Sequence, residues 1–336
     1  RNAKEMGKKD TSAADKIFRM AISKAIKAYD NYSAGKAYYE MGEMYFHFKN
    51  HNKSFGAYLY AKEYFVKSGS EKKIAFTNFK IGRQQYYRGN YKLASGHLSY
   101  AMRLAKKLKL KDLESDVLEY MGILYHVMPS PAHQGSGLLT KSLRIKQQLN
   151  DLNGELRILE KLAGIYYDRQ QSDSALLYSN LSIALAEKLG LQYDAHLSRL
   201  NQIPSLLRLK KEEEAKEKLY FLKTTMRDSS DLNMHIRSYI QEGNYFVAIQ
   251  DTTVAQKKYD TALQIAHSSG FPEMYALVYK NMAGAYYYNN DFKKAYEYQL
   301  QYSNKMAGLY SEENFTTFRE LEYILKTNST EDEVKY

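Results

Sequence analysis

The 336-residue chain has no cysteine and no tryptophan, only 4 prolines, and no apolar run near the roughly 18 residues that a bilayer crossing needs. Without cysteine it has no disulfide, no thiol nucleophile and no cysteine-ligated zinc, and its compartment stays open, because such a chain suits the cytosol and the periplasm equally. The scarcity of proline leaves long helices uninterrupted. Catalytic signatures are missing as well: there is no G-x-S-x-G, no phosphate-binding glycine loop, no H-E-x-x-H and no D-x-D-x-D-G loop. The only close histidine pair among 8 is His47 and His51, with no third ligand nearby. Asp112, Glu114 and Asp116, like Glu212, Glu213 and Glu214, fall at expected helix starts, where carboxylates favour the helix dipole. The reading is a non-enzymatic chain with no metal and no cofactor.

What the chain does contain is a period. Gly42, Gly82, Gly122, Ala163, Ile203, Gly243 and Ala283 are separated by 40, 40, 41, 40, 40 and 40 residues. Ser54, Ala94, Gly135, Ala175, Ala215, Ala255 and Ala295 follow them by 12 residues, or 13 in the third case. A large residue stands three after most of the first set (Tyr45, Tyr125, Tyr166, Leu206, Phe246, Tyr286), with Gln85 the departure. Three- and four-residue spacings place these side chains on one helical face. The second set opens its own seam, as in Ser54-Tyr58-Ala61 and Ala255-Tyr259-Ala262. Short polar turns such as Arg88-Gly89-Asn90 and Asn289-Asn290-Asp291 separate the two. Each unit is therefore a helix-turn-helix hairpin that buries its apolar face only against a neighbour.

These residues resemble the tetratricopeptide repeat family, best in Met41-Gly42, Tyr45, Ser54, Tyr58 and Ala61, and again in Ile81-Gly82, Ala94, Leu98 and Ala101. The resemblance implies an all-α fold, a right-handed α-solenoid of antiparallel helix pairs, with seven repeats over residues 33–309. The phase extends back to Ala14, Phe18 and Ala21, so residues 1–32 read as the second helix of a truncated repeat. Residues 310–336 read as one more helix and a polar tail leading to a downstream region. The 40-residue period exceeds the family's usual length. The fifth unit keeps the phase with poor packing residues, and Pro204 is expected to kink its first helix and loosen the array there.

In this family the first helices line a concave groove. Carried onto this chain, the exposed groove positions are Tyr39, Glu43, Phe46, Phe79, Arg83, Tyr86, Tyr87, Ile123, His126 and Tyr167, with Glu119, Glu160, Asn244, Lys280, Tyr287 and Tyr288 at equivalent places. The leading cluster is Phe79, Arg83, Tyr86 and Tyr87, where a guanidinium fork among rigid rings would hold a protein or peptide partner with acidic and aromatic residues. The family's carboxylate clamp is not reproduced, since Asn244 and Lys280 read as isolated pieces. A second surface is basic. Residues 1–111 carry 24 Lys and Arg against 8 Asp and Glu, the remainder 25 against 30, and Arg103, Lys106, Lys107, Lys109 and Lys111 form the densest stretch. Acidic proteins, anionic lipid and nucleic acid share that chemistry, but no nucleic-acid-reading motif accompanies it. The long, tyrosine-rich repeats look like the sensor regions of Bacteroides-type regulators, which implies the periplasmic side of a membrane-anchored protein. Rap-type cytosolic peptide-responsive regulators are the alternative, and an adaptor to an enzyme lying outside this chain is a third.

Overall fold

A computed structural model describes residues 11–48, 50–128, 134–226, 230–269 and 272–307, and every regular element among them is an α-helix. In chain order these are α1 (Thr11–Lys27), α2 (Asn31–His47), α3 (His51–Lys67), α4 (Glu71–Tyr87), α5 (Tyr91–Lys107), α6 (Lys111–Val127), α7 (Gln134–Gln148), α8 (Leu152–Asp168), α9 (Ser172–Lys188), α10 (Gln192–Arg208), α11 (Glu212–Thr225), α12 (Leu232–Ala248), α13 (Thr252–Ser269) and α14 (Pro272–Tyr288), followed by α15 over 292–307. The even-numbered helices are the first helices of the units and the odd-numbered ones the second. The helix expected beyond residue 310 lies outside the described residues, as does most of the irregular turn at 129–137.

The helices end by one recurring device. At most of the described turns the residue two before the new helix adopts a left-handed conformation, as at Tyr29 (φ 54°), Gly69 (65°), Lys109 (54°), Asn150 (54°) and Gly190 (70°), which repeat at the sequence period. Such a residue lets the chain fold back and satisfy the last carbonyls. Thus the Gly69 N–H donates to the Val66 carbonyl and the Ser70 N–H to the Phe65 carbonyl, each at 3.0 Å. The next residue caps the following helix: the side chains of Asp30, Asn50, Asp151 and Asp231 accept from the backbone N–H three residues on.

The small residues of the period work by close approach. A Cβ on Gly42 would stand 2.7 Å from the Tyr58 ring, and one on Gly243 2.6 Å from the Tyr259 ring, 16 residues on in both cases. Gly35 meets Phe65 while Gly42 meets Tyr58, so the two helices of a pair run antiparallel. The Ser54 hydroxyl donates to the Gly42 carbonyl at 2.8 Å and ties the second small position to the first.

The chain divides into two compact units, one reaching Asn150 and the other spanning Asp151–Glu312. In the first, Phe65, Ala75, Phe79, Leu98, Ala101, Leu113 and Val117 form the main cluster. In the second, Ile236, Val247, Tyr259, Val278, Met282 and Tyr286 do so. One core position departs from type. Ala25, Phe65, Ala105, Ala186, Met226 and Ala266 are buried at a common register where Lys146 also stands, 2% exposed. Its ammonium is neutralised by Asp112 at 2.9 Å and Asp116 at 2.8 Å.

Helix α10 includes Pro204 within its span. One expectation is corrected. The fifth unit is well packed, with Ile203, Leu206, Ala215 and Leu222 fully buried and Leu219 nearly so, because aliphatic side chains fill the same positions as aromatics elsewhere. Ala21 is exposed although its equivalents Ala61 and Ala101 are buried.

Candidate functional site

In the second unit the C-terminal halves of α8, α10, α12 and α14, together with the start of α15, enclose an open groove of about 1280 Å³. Their common register makes it: Tyr167 lies four after Ala163, Arg208 five after Ile203, and Tyr288 five after Ala283. Arg208 is its centre. The guanidinium carbon sits 3.7 Å from the centroid of Tyr167 and 4.0 Å from that of Tyr288, a cation held between two rings. One guanidinium N–H donates to the Tyr167 carbonyl, while Nε is buried without a hydrogen-bond partner. Burial pushes the Tyr167 phenol up to about 12 despite the opposing Arg208 charge, so the ring remains neutral at ordinary pH.

Around this cation the wall is amide-rich and aromatic. Asn244 donates to Gln241 at 2.9 Å and accepts from the Tyr259 hydroxyl at 2.7 Å. Asn281 lines the same groove and donates to the Leu277 carbonyl. Tyr287 (55% exposed), Phe292 (58%) and Tyr296 (70%) present apolar area to solvent at its rim. Lys280 is exposed on the same wall. A smaller cavity of about 230 Å³ shares Tyr167, Pro204, Leu277 and Asn281 with the groove and holds Glu160, Ser198 and Arg237. Burial, reinforced by Asp194, raises the Glu160 carboxyl to about 7. Its Oε1 is buried without a hydrogen-bond partner.

The first unit arranges its expected groove residues differently. Glu43 accepts from the Tyr58 hydroxyl and pairs with Lys80 at 2.8 Å and Arg83 at 3.8 Å. Burial alone would raise this carboxyl, but Lys80, Tyr58 and Arg83 outweigh it and hold it low. The Arg83 guanidinium sits over the Phe46 ring at 3.7 Å, its side chain only 12% exposed. The fork expected to face a partner is turned inward to a ring and a carboxylate. Phe79 is not a groove residue: at 5% exposure it belongs to the core, against Tyr120 at 5.5 Å. Tyr39 packs edge-on to Tyr58, and Tyr86 edge-on to Tyr87. Only Tyr87 of this cluster is exposed, stacked on His51 at 5.2 Å. Ile123 and His126 are half-buried. Glu119, expected exposed, is 1% exposed, and Asn244 is 7%.

Arg103, Lys106, Lys107, Lys109 and Lys111 are all exposed. Asn244 and Lys280, read as isolated, border one groove with Arg208. Sequence reasoning passed over Arg208, Asn281 and Tyr296. Arg208 had a usable signal, since it occupies the groove offset of the fifth unit, whose weak motif drew attention away from it.

No sequence-family model matches the chain, and no characterised protein matches it by sequence. Solved structures do match in fold. The apo quorum sensor NprR from B. thuringiensis aligns with a TM-score of 0.65 at 13% identity, over 89% of this chain and 83% of that one. A Rap protein complexed with competence and sporulation factor aligns at 0.63 with 16% identity, over 83% of this chain and 75% of its own. A STAND signal-transduction ATPase with a tetratricopeptide repeat sensor, from Pyrococcus horikoshii, aligns at 0.62 with 15% identity, over 88% of this chain but 45% of its own. The chain has the all-α helical-repeat fold of these tetratricopeptide-type proteins.

Proposed function

We propose that the chain is a non-enzymatic peptide-binding repeat domain and that the groove of the second unit is its binding site. The carrying observation is the convergence of Tyr167, Arg208, Asn244, Asn281 and Tyr288 on one open groove of about 1280 Å³. Side-chain amides exchange hydrogen bonds with an extended backbone, and rigid rings supply contact area at little entropic loss. The fold neighbours favour the same reading, since one was solved in complex with competence and sporulation factor and another is a quorum sensor. Within it, the chain serves as the sensory or scaffold part of a bacterial signalling or transcription regulator. The Bacteroides-type, membrane-anchored form is the first choice, and a Rap-type cytosolic regulator is the second.

The test is selection of peptides from a displayed library on the full chain, followed by calorimetry on the best binder. Tyr287→Ala with Tyr296→Ala removes two exposed rings of the rim and is expected to weaken binding at least tenfold, about 1.4 kcal/mol, with little change in melting temperature. Undiminished affinity would move the site away from this groove.

A further inference from the structure

We propose that one edge of the first unit docks on an anionic lipid surface. The edge is built by repetition. Lys27, Lys67 and Lys107 end successive second helices exactly one period apart, and all three are exposed. Lys106, Lys109 and Lys111 crowd the third of these turns. The ammonium of Lys107 reaches Glu71 at 2.5 Å, so the turn of one unit abuts the turn before it and the lysines form a row. Acidic groups on this edge pair with part of the row, Glu63 with Lys67 at 2.6 Å, Glu71 with Lys107 and Glu114 with Lys111 at 2.8 Å, while Asp112 goes to Lys146 and Asp30 caps α2. The surplus of positive charge is carried by the exposed Lys27, Lys106 and Lys109.

Two features favour lipid over other anionic partners. The cations that end the helices of the row are lysines, with Arg103 one turn before Lys107. A compact, strongly hydrated charge suits diffuse headgroups, whereas nucleic-acid phosphates are typically gripped by the arginine fork. Exposed apolar side chains are set among the cations: Ile26 (41%), Tyr29 (91%), Val66 (56%) and Leu149 (43%). Such residues enter the headgroup boundary while the lysines hold the surface charge. Neither feature depends on the groove of the second unit.

Co-sedimentation of the full chain with vesicles tests this, using phosphatidylcholine alone or mixed with phosphatidylserine. Binding is expected only to the mixed vesicles at about 0.1 M salt, with release at about 0.5 M as screening sets in. The triple variant Lys27→Glu, Lys67→Glu, Lys107→Glu should bind at least tenfold more weakly with an unchanged circular dichroism spectrum. The charge-matched variant Lys161→Glu, Lys216→Glu, Lys223→Glu in the second unit should bind as the parent does. Tyr29→Ser with Val66→Ser, which keeps every charge, should weaken binding several-fold and covers the case where the triple variant fails to fold. No binding, equal binding to both vesicles, or equal loss in the two triple variants would overturn the proposal. So would lysine-dependent binding to duplex DNA that is tighter than to vesicles.

Discussion

At the residue scale, two positions tie sequence to energetics. Gly243 presses on the fully buried ring of Tyr259, so a methyl group there has no room. Gly243→Ala is expected to destabilise by about 1–3 kcal/mol, read as a lower denaturant midpoint with unchanged slope, because the ring is locked by its bond to Asn244. Glu160 sets a pH dependence. Its folded pKa, about 7, lies above the unfolded value near 4.3, so the folded state resists ionisation. Its contribution to stability is fully present below about 4.3 and is lost as pH rises through 7. Glu160→Gln should therefore raise the melting temperature at pH 8 and leave it nearly unchanged at pH 4. A shift of equal size at both would show that burial of this carboxyl carries no penalty.

At the element scale, helix α10 is the instructive case. Pro204 has no N–H to offer the Leu200 carbonyl, yet the helix continues because Ile203 and Leu206 on either side are locked into the core. Tertiary burial thus overrides a local penalty. Pro204→Ala should restore the missing bond and stabilise the second unit by about 1–3 kcal/mol, with slower amide exchange at Leu206–Arg208 as the readout. Faster exchange there would mean that the proline is instead needed to shape the groove. The connections between helices tell a complementary story. Non-glycine residues such as Lys109 and Asn150 hold the left-handed turn position as Gly69 does, since the caps on either side determine the backbone.

At the scale of the whole molecule, each unit closes its own core, with helices contributed by nearest neighbours as repeat architectures require. Residues 151–312 expressed alone should therefore keep a helical circular dichroism spectrum and bind the selected peptide with the affinity of the full chain. A random-coil spectrum would show that the second unit depends on the first. The charge asymmetry between the two halves also acts at this scale, because a field of several lysines is sensed beyond any single contact and falls with salt.

Much of the fold was legible because close packing of helices leaves a steric trace. Gly42 against Tyr58, and Ser54 bonded to the Gly42 carbonyl, repeat at a fixed interval that needs no structure to see. The turn residues and caps share that interval. What the period could not reveal is which groove side chains face outward. Tyr86 and Tyr87 occupy the offsets that Tyr167 and Arg208 occupy in the other unit, while Phe79 and Arg83 stand three before and one after Gly82, yet Phe79 is core and Arg83 is folded onto Phe46 and Glu43. That outcome depends on partners 30 to 40 residues away, whose size and charge are not periodic. Composition and spacing determined that the chain is a stack of helical hairpins with a basic N-terminal half. Only tertiary packing decided that the open groove lies in the second unit, because exposure is a property of what the neighbouring repeats leave uncovered.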